Sequence, residues 1–214
     1  RLKKKSNKIC INTNHNYTSN IMTYEELYDE WINQPYADSC TEKFEIRDGI
    51  AIIPEGTTKI GNYAFDDCTS LESVTIPESV TEIGNCAFIR CTSLKNVAIP
   101  KSVTKIGDSA FSGCTSLESI TLPDSVTIID WLAFDDCTSL KNITLPDSVT
   151  FLGENAFSGC TSLESITISK SVTLIQHYTF NDCSSLKSIT IPDSVKEIGV
   201  GAFRWCALLE SVTI

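Results

Sequence analysis

The sequence predicts a solenoid: a right-handed curved stack of about seven to eight 23-residue coils with short parallel strands, preceded by a helical cap. Three rows of residues carry that prediction. Phenylalanine recurs at 65, 88, 111, 134, 157, 180 and 203. Cysteine follows three positions later at 68, 91, 114, 137, 160, 183 and 206, and leucine at 71, 94, 117, 140, 163, 186 and 209. A fixed period of this length marks a repeat architecture, in which one unit cannot bury its own apolar face and neighbours bury it by stacking.

Residues 1–19 read as a basic and polar tail. Arg1, Lys3, Lys4, Lys5 and Lys8 run against an overall formal charge of −10, and a solvated end explains them more simply than a membrane contact. Residues 20–49 do not repeat and read as an N-terminal cap with one helix. Thr23-Tyr24-Glu25-Glu26 forms a capping box, with Thr at the cap and Glu three positions on. The helix runs to about Asn33, sets Tyr24, Leu27, Tyr28 and Trp31 on one face, and ends at Pro35. Such a helix would cover the edge that an open solenoid exposes.

Coils begin near residue 50, because Ile50-Ala51-Ile52-Ile53-Pro54 aligns with Ser73 to Pro77. Val74 and Ile76 alternate with Ser73 and Thr75, a short half-buried strand that Pro77 stops by removing a ladder donor. A second extended piece, Val80 to Ile83, leads to Gly84. The spacing of Ala87, Phe88 and Cys91 then predicts a short helix or 3₁₀ turn over Asn85 to Thr92. Parallel stacking at about 4.8 Å would merge the apolar rows into one core. Repeats are expected over 50–214, truncated at the C-terminus because Thr213-Ile214 falls inside a strand.

One unit reads Ile-Gly-x-x-Ala-Phe-x-x-Cys-Thr-Ser-Leu-x-x-Ile-Thr-Ile-Pro-x-Ser-Val-Thr-x. This resembles the leucine-rich repeats of the BspA-like, or treponemal-type, family over about Ile50 to Ile214. The resemblance implies a leucine-rich repeat solenoid for protein–protein recognition and adhesion, in that family often at the surfaces of bacteria and parasitic protists. The partner it implies is a protein ligand, with host or matrix proteins among the candidates. The location implied is the cell surface or the secreted space; a cytoplasmic adaptor within a larger assembly is the alternative.

Composition and motifs speak against chemistry. An acidic chain lacks the clustered cations that nucleic acid requires. No apolar run approaches the ~18 residues that cross a bilayer, so no direct membrane insertion is expected. His15 and His177 are the only histidines, and neither sits in a constellation suited to general base catalysis. The Asp66-Asp67 and Asp135-Asp136 pairs invite a calcium reading, but exposed turn acids explain them better, since the next coils carry Ile89 and Ser112 at the place of Asp66. Neither an enzyme, nor a cofactor, nor a metal is expected. The seven cysteines in the row read as small buried hydrophobes, and no Cys-x-x-Cys pair starts a zinc site. Cys10, Cys40 and Cys86 lie outside the row; a bridge from Cys40 to another segment is weighed against free thiols. The sequons Asn16-Tyr17-Thr18 and Asn142-Ile143-Thr144 matter only in a eukaryotic secretory route.

Positions that break the repeat point to a partner surface, because coil stacking does not require them. Glu82, Lys105 and Glu197 mark a solvent position that becomes Ile128, Phe151 and Leu174 in the middle coils. The following turn carries Trp131-Leu132 in one coil and His177-Tyr178 in another. The residues expected to bind a partner are therefore Ile128, Trp131, Phe151, Leu174, His177 and Tyr178, against a reading in which Trp131 folds over its neighbours to close a gap. The row Glu72, Lys95, Glu118, Lys141, Glu164, Lys187, Glu210 alternates in sign, which suits coil register more than binding.

Overall fold

The structure, a computed structural model, describes residues 44–213, which lie within the unit Cys40–Ile214. The expected cap helix lies outside the described residues, as do the basic tail, His15, Cys10 and Cys40. The described strands are β1 (Ile46–Arg47), β2 (Ile50–Ile52), β3 (Lys59–Ile60), β4 (Ser73–Thr75), β5 (Glu82–Ile83), β6 (Asn96–Ala98), β7 (Lys105–Ile106) and β8 (Ser119–Thr121). They continue as β9 (Ile128–Ile129), β10 (Asn142–Thr144), β11 (Phe151–Leu152), β12 (Ser165–Thr167), β13 (Leu174–Ile175), β14 (Ser188–Thr190), β15 (Glu197–Ile198) and β16 (Ser211–Thr213). The three-residue strands form one sheet in the order β1-β2-β4-β6-β8-β10-β12-β14-β16, parallel from β2 onward. Each strand pairs with its equivalent one period on, as in Ile50↔Ser73 and Ala51↔Val74. That register follows from the pattern: Val74, Val97, Ile120, Ile143, Ile166 and Ile189 must all point inward, and a slip of one residue would expose the set.

At the first edge of this sheet sits a feature the repeat frame did not anticipate. β1 pairs antiparallel with β2 through Ile46↔Ala51 and Arg47↔Ile50. Asp48 and Gly49 connect them with φ of 50° and 76°, the double left-handed turn that Asp-Gly favours in two-residue hairpins. Gly49 also lies close to the next coil: its carbonyl accepts the N–H groups of Glu72 and Ser73, and a Cβ there would stand 3.2 Å from the Ser70 carbonyl oxygen.

The segment expected to be a short helix or 3₁₀ turn is neither. Over Asn85 to Thr92 the chain makes consecutive tight turns, with Cys86 and Arg90 in left-handed conformation at φ 56° each. Those residues reset the chain before a helix can propagate. Alternate N–H groups consequently face opposite ways. Cys86, Phe88 and Arg90 donate to the Asp108, Ala110 and Ser112 carbonyls of the next coil. Ala87, Ile89 and Cys91 donate within the turn, to Gly84, Cys86 and Phe88. The apolar spacing that imitates a helical turn comes from a backbone knitted to its neighbour.

Inside, the phenylalanine row from Phe65 to Phe203 is a continuous stack with ring centroids 4.9 to 5.8 Å apart and planes within 12° of parallel. Phe44 adds one ring at its start, 5.4 Å from Phe65. The cysteine row consists of free thiols. From Cys91 onward each S–H donates to the phenylalanine carbonyl 26 residues earlier, at 3.1 to 3.2 Å. Burial pushes these thiols up, Cys114 to about 12, so they are protonated donors.

The two-residue strands form a second ladder that is interrupted once. β3, β5, β7, β9 and β11 join in one sheet, and β13 pairs only with β15. The break coincides with a substitution. Pro77, Pro100, Pro123, Pro146 and Pro192 share a position that Ser169 takes in this coil. In three successive coils a serine two residues after the proline donates to the valine carbonyl of the preceding coil: Ser102 to Val80, Ser125 to Val103 and Ser148 to Val126. Here Ser169, fully buried, donates to Val149 at 2.7 Å, and Ser171 is diverted to the Asp147 carbonyl. Two hydroxyls now compete for the place of one, and β13 stands apart from β11.

Candidate interaction surface

The row Lys59, Glu82, Lys105, Ile128, Phe151, Leu174, Glu197 runs along the second ladder. Lys59 and Glu82 form an ion pair at 3.2 Å, and Lys105 reaches Asp130 at 3.0 Å. Then charge gives way to three apolar side chains. Ile128 pairs with Phe151 in register; Leu174 follows across the break and pairs with Glu197. All three are half-buried, each beside a fully inward Ile129, Leu152 or Ile175. The expected apolar row therefore exists on one side of three coils.

The turn residues of the expected set have more individual roles. In regular coils an asparagine side chain accepts the N–H of its equivalent in the next coil, as Asn62 Oδ1 does from Asn85 and Asn85 Oδ1 from Asp108. At Trp131 this relay stops, because Asp130 Oδ1 takes the Trp131 N–H at 3.0 Å. His177 resumes it: its Nδ1 accepts the Val200 N–H at 2.8 Å while the side chain stays exposed. Trp131 and His177 occupy one row with Glu154 between them, so they are two coils apart. Tyr178 is half-buried and lies over Gly201, where an added Cβ would fall 2.4 Å from its ring. A shallow depression of about 290 Å³ lies at Leu174 and His177, lined also by Glu197, Ile198 and Val200. Ile198 and Val200 are 48% and 67% exposed.

Other candidates resolve into structural roles. Arg90 reaches Asp66 at 3.2 Å and Asp67 at 3.5 Å, which occupies the first acidic pair with a guanidinium. Asp135, from the second pair, is pushed up to about 7 by burial and by Asp136. In the alternating charge row, Lys95 meets Glu72 at 3.1 Å and Lys187 meets Glu164 at 3.0 Å; both pairs are exposed to solvent, which screens them, so they add little to stability. Asn142 Oδ1 accepts the Ser165 hydroxyl at 2.7 Å, and Asn96 repeats the contact with Ser119. Trp205, 62% exposed, lies under the Arg204 guanidinium at 4.1 Å. No described helix is long and apolar enough to cross a membrane.

Comparison with known proteins agrees with this geometry. The profile of the BspA-type leucine-rich repeat region matches residues 49–161 and 116–214. A leucine-rich repeat protein from Bacteroides ovatus ATCC 8483 is 32% identical, with a TM-score of 0.72 over 84% of this chain and 51% of its own. The T. pallidum leucine-rich repeat protein is 33% identical, with a TM-score of 0.73 over 76% of this chain and 78% of its own. A leucine-rich cell surface protein from Faecalibacterium prausnitzii A2-165 is 40% identical, with a TM-score of 0.69 over 76% of this chain and 46% of its own. The chain thus spans about half the length of the Bacteroides and Faecalibacterium proteins. None of the curated proteins matches it.

Proposed function

The chain belongs to the BspA-type leucine-rich repeat family, and from that premise we propose a non-catalytic recognition and adhesion scaffold, displayed at the cell surface or secreted. It binds a protein ligand, of the host or matrix type, through Ile128, Trp131, Phe151, Leu174, His177 and Tyr178. One observation carries the assignment of the surface. The row that holds ion-paired charges at Lys59, Glu82 and Lys105 turns apolar at Ile128, Phe151 and Leu174 without those side chains becoming buried. Stacking is satisfied by charges elsewhere in the same row, so the change answers to something other than the core. Apolar surface next to a depression is where interface energy concentrates, with aromatics dominant. The surface location is supported by the F. prausnitzii relative, which is a cell surface protein.

The test compares the wild-type chain with a Trp131→Ser, Phe151→Ser double variant for binding to immobilised extracellular-matrix proteins. The expected result is at least about a tenfold loss of affinity, or about 1.4 kcal/mol, with the melting temperature preserved. A folded variant that binds as well as wild type contradicts the assignment.

A further inference from the structure

The coil that carries Phe151 and the coil that carries Leu174 are joined on two sides and open on the third. On the long sheet β10 and β12 pair in full register, Asn142↔Ser165, Ile143↔Ile166 and Thr144↔Thr167. At the turns Asn155, Phe157 and Gly159 donate their N–H groups to the His177, Thr179 and Asn181 carbonyls at 2.8 to 3.1 Å. On the second ladder, among the described residues, β11 and β13 are not paired. Thr81, Thr104, Thr127 and Thr150 each direct both N–H and hydroxyl to the carbonyl of the equivalent residue one coil earlier, whereas Thr173 directs neither to Thr150. The pattern resumes at once, with the Lys196 N–H on the Thr173 carbonyl at 2.7 Å. The core records the same gap. Phe157 and Phe180 stand 5.8 Å apart, the widest step in a row otherwise spaced at 4.9 to 5.5 Å.

Two departures from the repeat coincide at this junction. Ser169 stands in the place of proline, and Gln176 brings a Cβ to a position that Gly84, Gly107, Gly153 and Gly199 hold in other coils. At those four glycines an added Cβ would fall 2.5 to 2.7 Å from the preceding coil, so a side chain there pushes coils apart. Asp130 also has a Cβ at that place, but its coil keeps Pro123 and the ladder holds. Ser169 and Gln176 together occur in no other described coil. We propose that the gap is a joint: the coils from β12 onward swing against those before them, with the long sheet and the turns as pivot, and open between Phe151 and Leu174. Each coil of a solenoid contacts only its neighbours, so one loosened junction lets two blocks move as units. Ile128 and Phe151, paired in register, stay together on the first block while Leu174 moves with the second. A partner that covers all three side chains would hold the joint closed. That consequence rests on the binding surface proposed above; the joint itself does not.

Nitroxide labels carried on unnatural amino acids, which leave the native thiols untouched, test the joint in the full chain with no partner present. One protein carries them at positions 81 and 173, across the gap, and a second at positions 58 and 150, within the first block. All four positions are exposed threonines of one row. Both pairs lie four coils apart, about 19 Å at ~4.8 Å per coil. Pulsed electron paramagnetic resonance should give a wider distance distribution for 81 and 173, with a component at longer distance that 58 and 150 lack. Ser169→Pro combined with Gln176→Gly restores the residues of a regular coil and should remove that component. Equal distributions for the two label pairs overturn the proposal, as does a long component that persists in the folded double variant. The first comparison decides alone if the double variant does not fold. Neither result alters the binding loss expected of the Trp131→Ser, Phe151→Ser variant, so the two proposals fail separately.

Discussion

At the scale of single residues the stack is maintained by groups that each contact the equivalent group in the next coil. Phe134 lies between Phe111 at 5.4 Å and Phe157 at 5.3 Å and is fully buried, so truncation opens a cavity that neighbouring coils cannot close. Phe134→Ala should cost about 3–5 kcal/mol in denaturant unfolding. Asp108 has the opposite sign. Burial pushes its carboxyl from 3.8 up to about 7, although the Ser109 hydroxyl donates to it at 2.7 Å. Folding thus favours the neutral form. The stability this group contributes is full below pH 3.8 and is lost as pH rises through about 7. Asp108→Asn should therefore stabilise the protein at pH 8, by at most about 4 kcal/mol, and much less at pH 4. Melting curves at the two pH values check this; an equal gain at both would show that ionisation is not the cause. Some residue roles were not legible in the sequence. His177 stands out as a departure from Asn62 and Asn85, yet it does their work by accepting the N–H one coil on. That equivalence appears only when the direction of the Val200 N–H is known. Thr179, in the alanine row, is accommodated because its hydroxyl donates to the Gln176 carbonyl at 2.9 Å.

At the scale of elements, alternation along Ser73-Val74-Thr75 identified the strands correctly, because a half-buried sheet leaves a period of two in the sequence. The turn segment was misread for a physical reason. Ala87, Phe88 and Cys91 share a helical spacing, but left-handed residues at 86 and 90 break the path between them. The signal was present at equivalent positions, where Asp67, Asn155, Gly113 and Gly159 are types that tolerate this conformation. The β1–β2 hairpin was legible too, in Asp48-Gly49 between Ile46 and Ile50, and was hidden by assigning that stretch to a helical cap. The break between β11 and β13 gives the element-scale prediction. Ser169→Pro should return Ser171 to the Val149 carbonyl and close the ladder. Hydrogen exchange should then slow at the Thr173 and Gln176 amides; unchanged exchange at both would dissociate the break from Ser169.

For the whole molecule, one repeat explains the described architecture, and its departures explain the proposed function. A solenoid joins each coil only to its neighbours, so a recognition surface must be assembled from equivalent positions on successive coils. Ile128, Phe151 and Leu174 satisfy that condition on one side, while the exposed alternating row from Glu72 to Glu210 runs along another, one residue ahead of each strand of the long sheet. Which side meets the partner is the claim on which the functional account rests. Photo-crosslinking decides it most directly, with a photoreactive phenylalanine analogue placed at position 151 in one protein and at position 118 in another. The account predicts a covalent adduct with the bound matrix protein from position 151 and none from position 118. An adduct from position 118 alone, or equal yields from both, would contradict it.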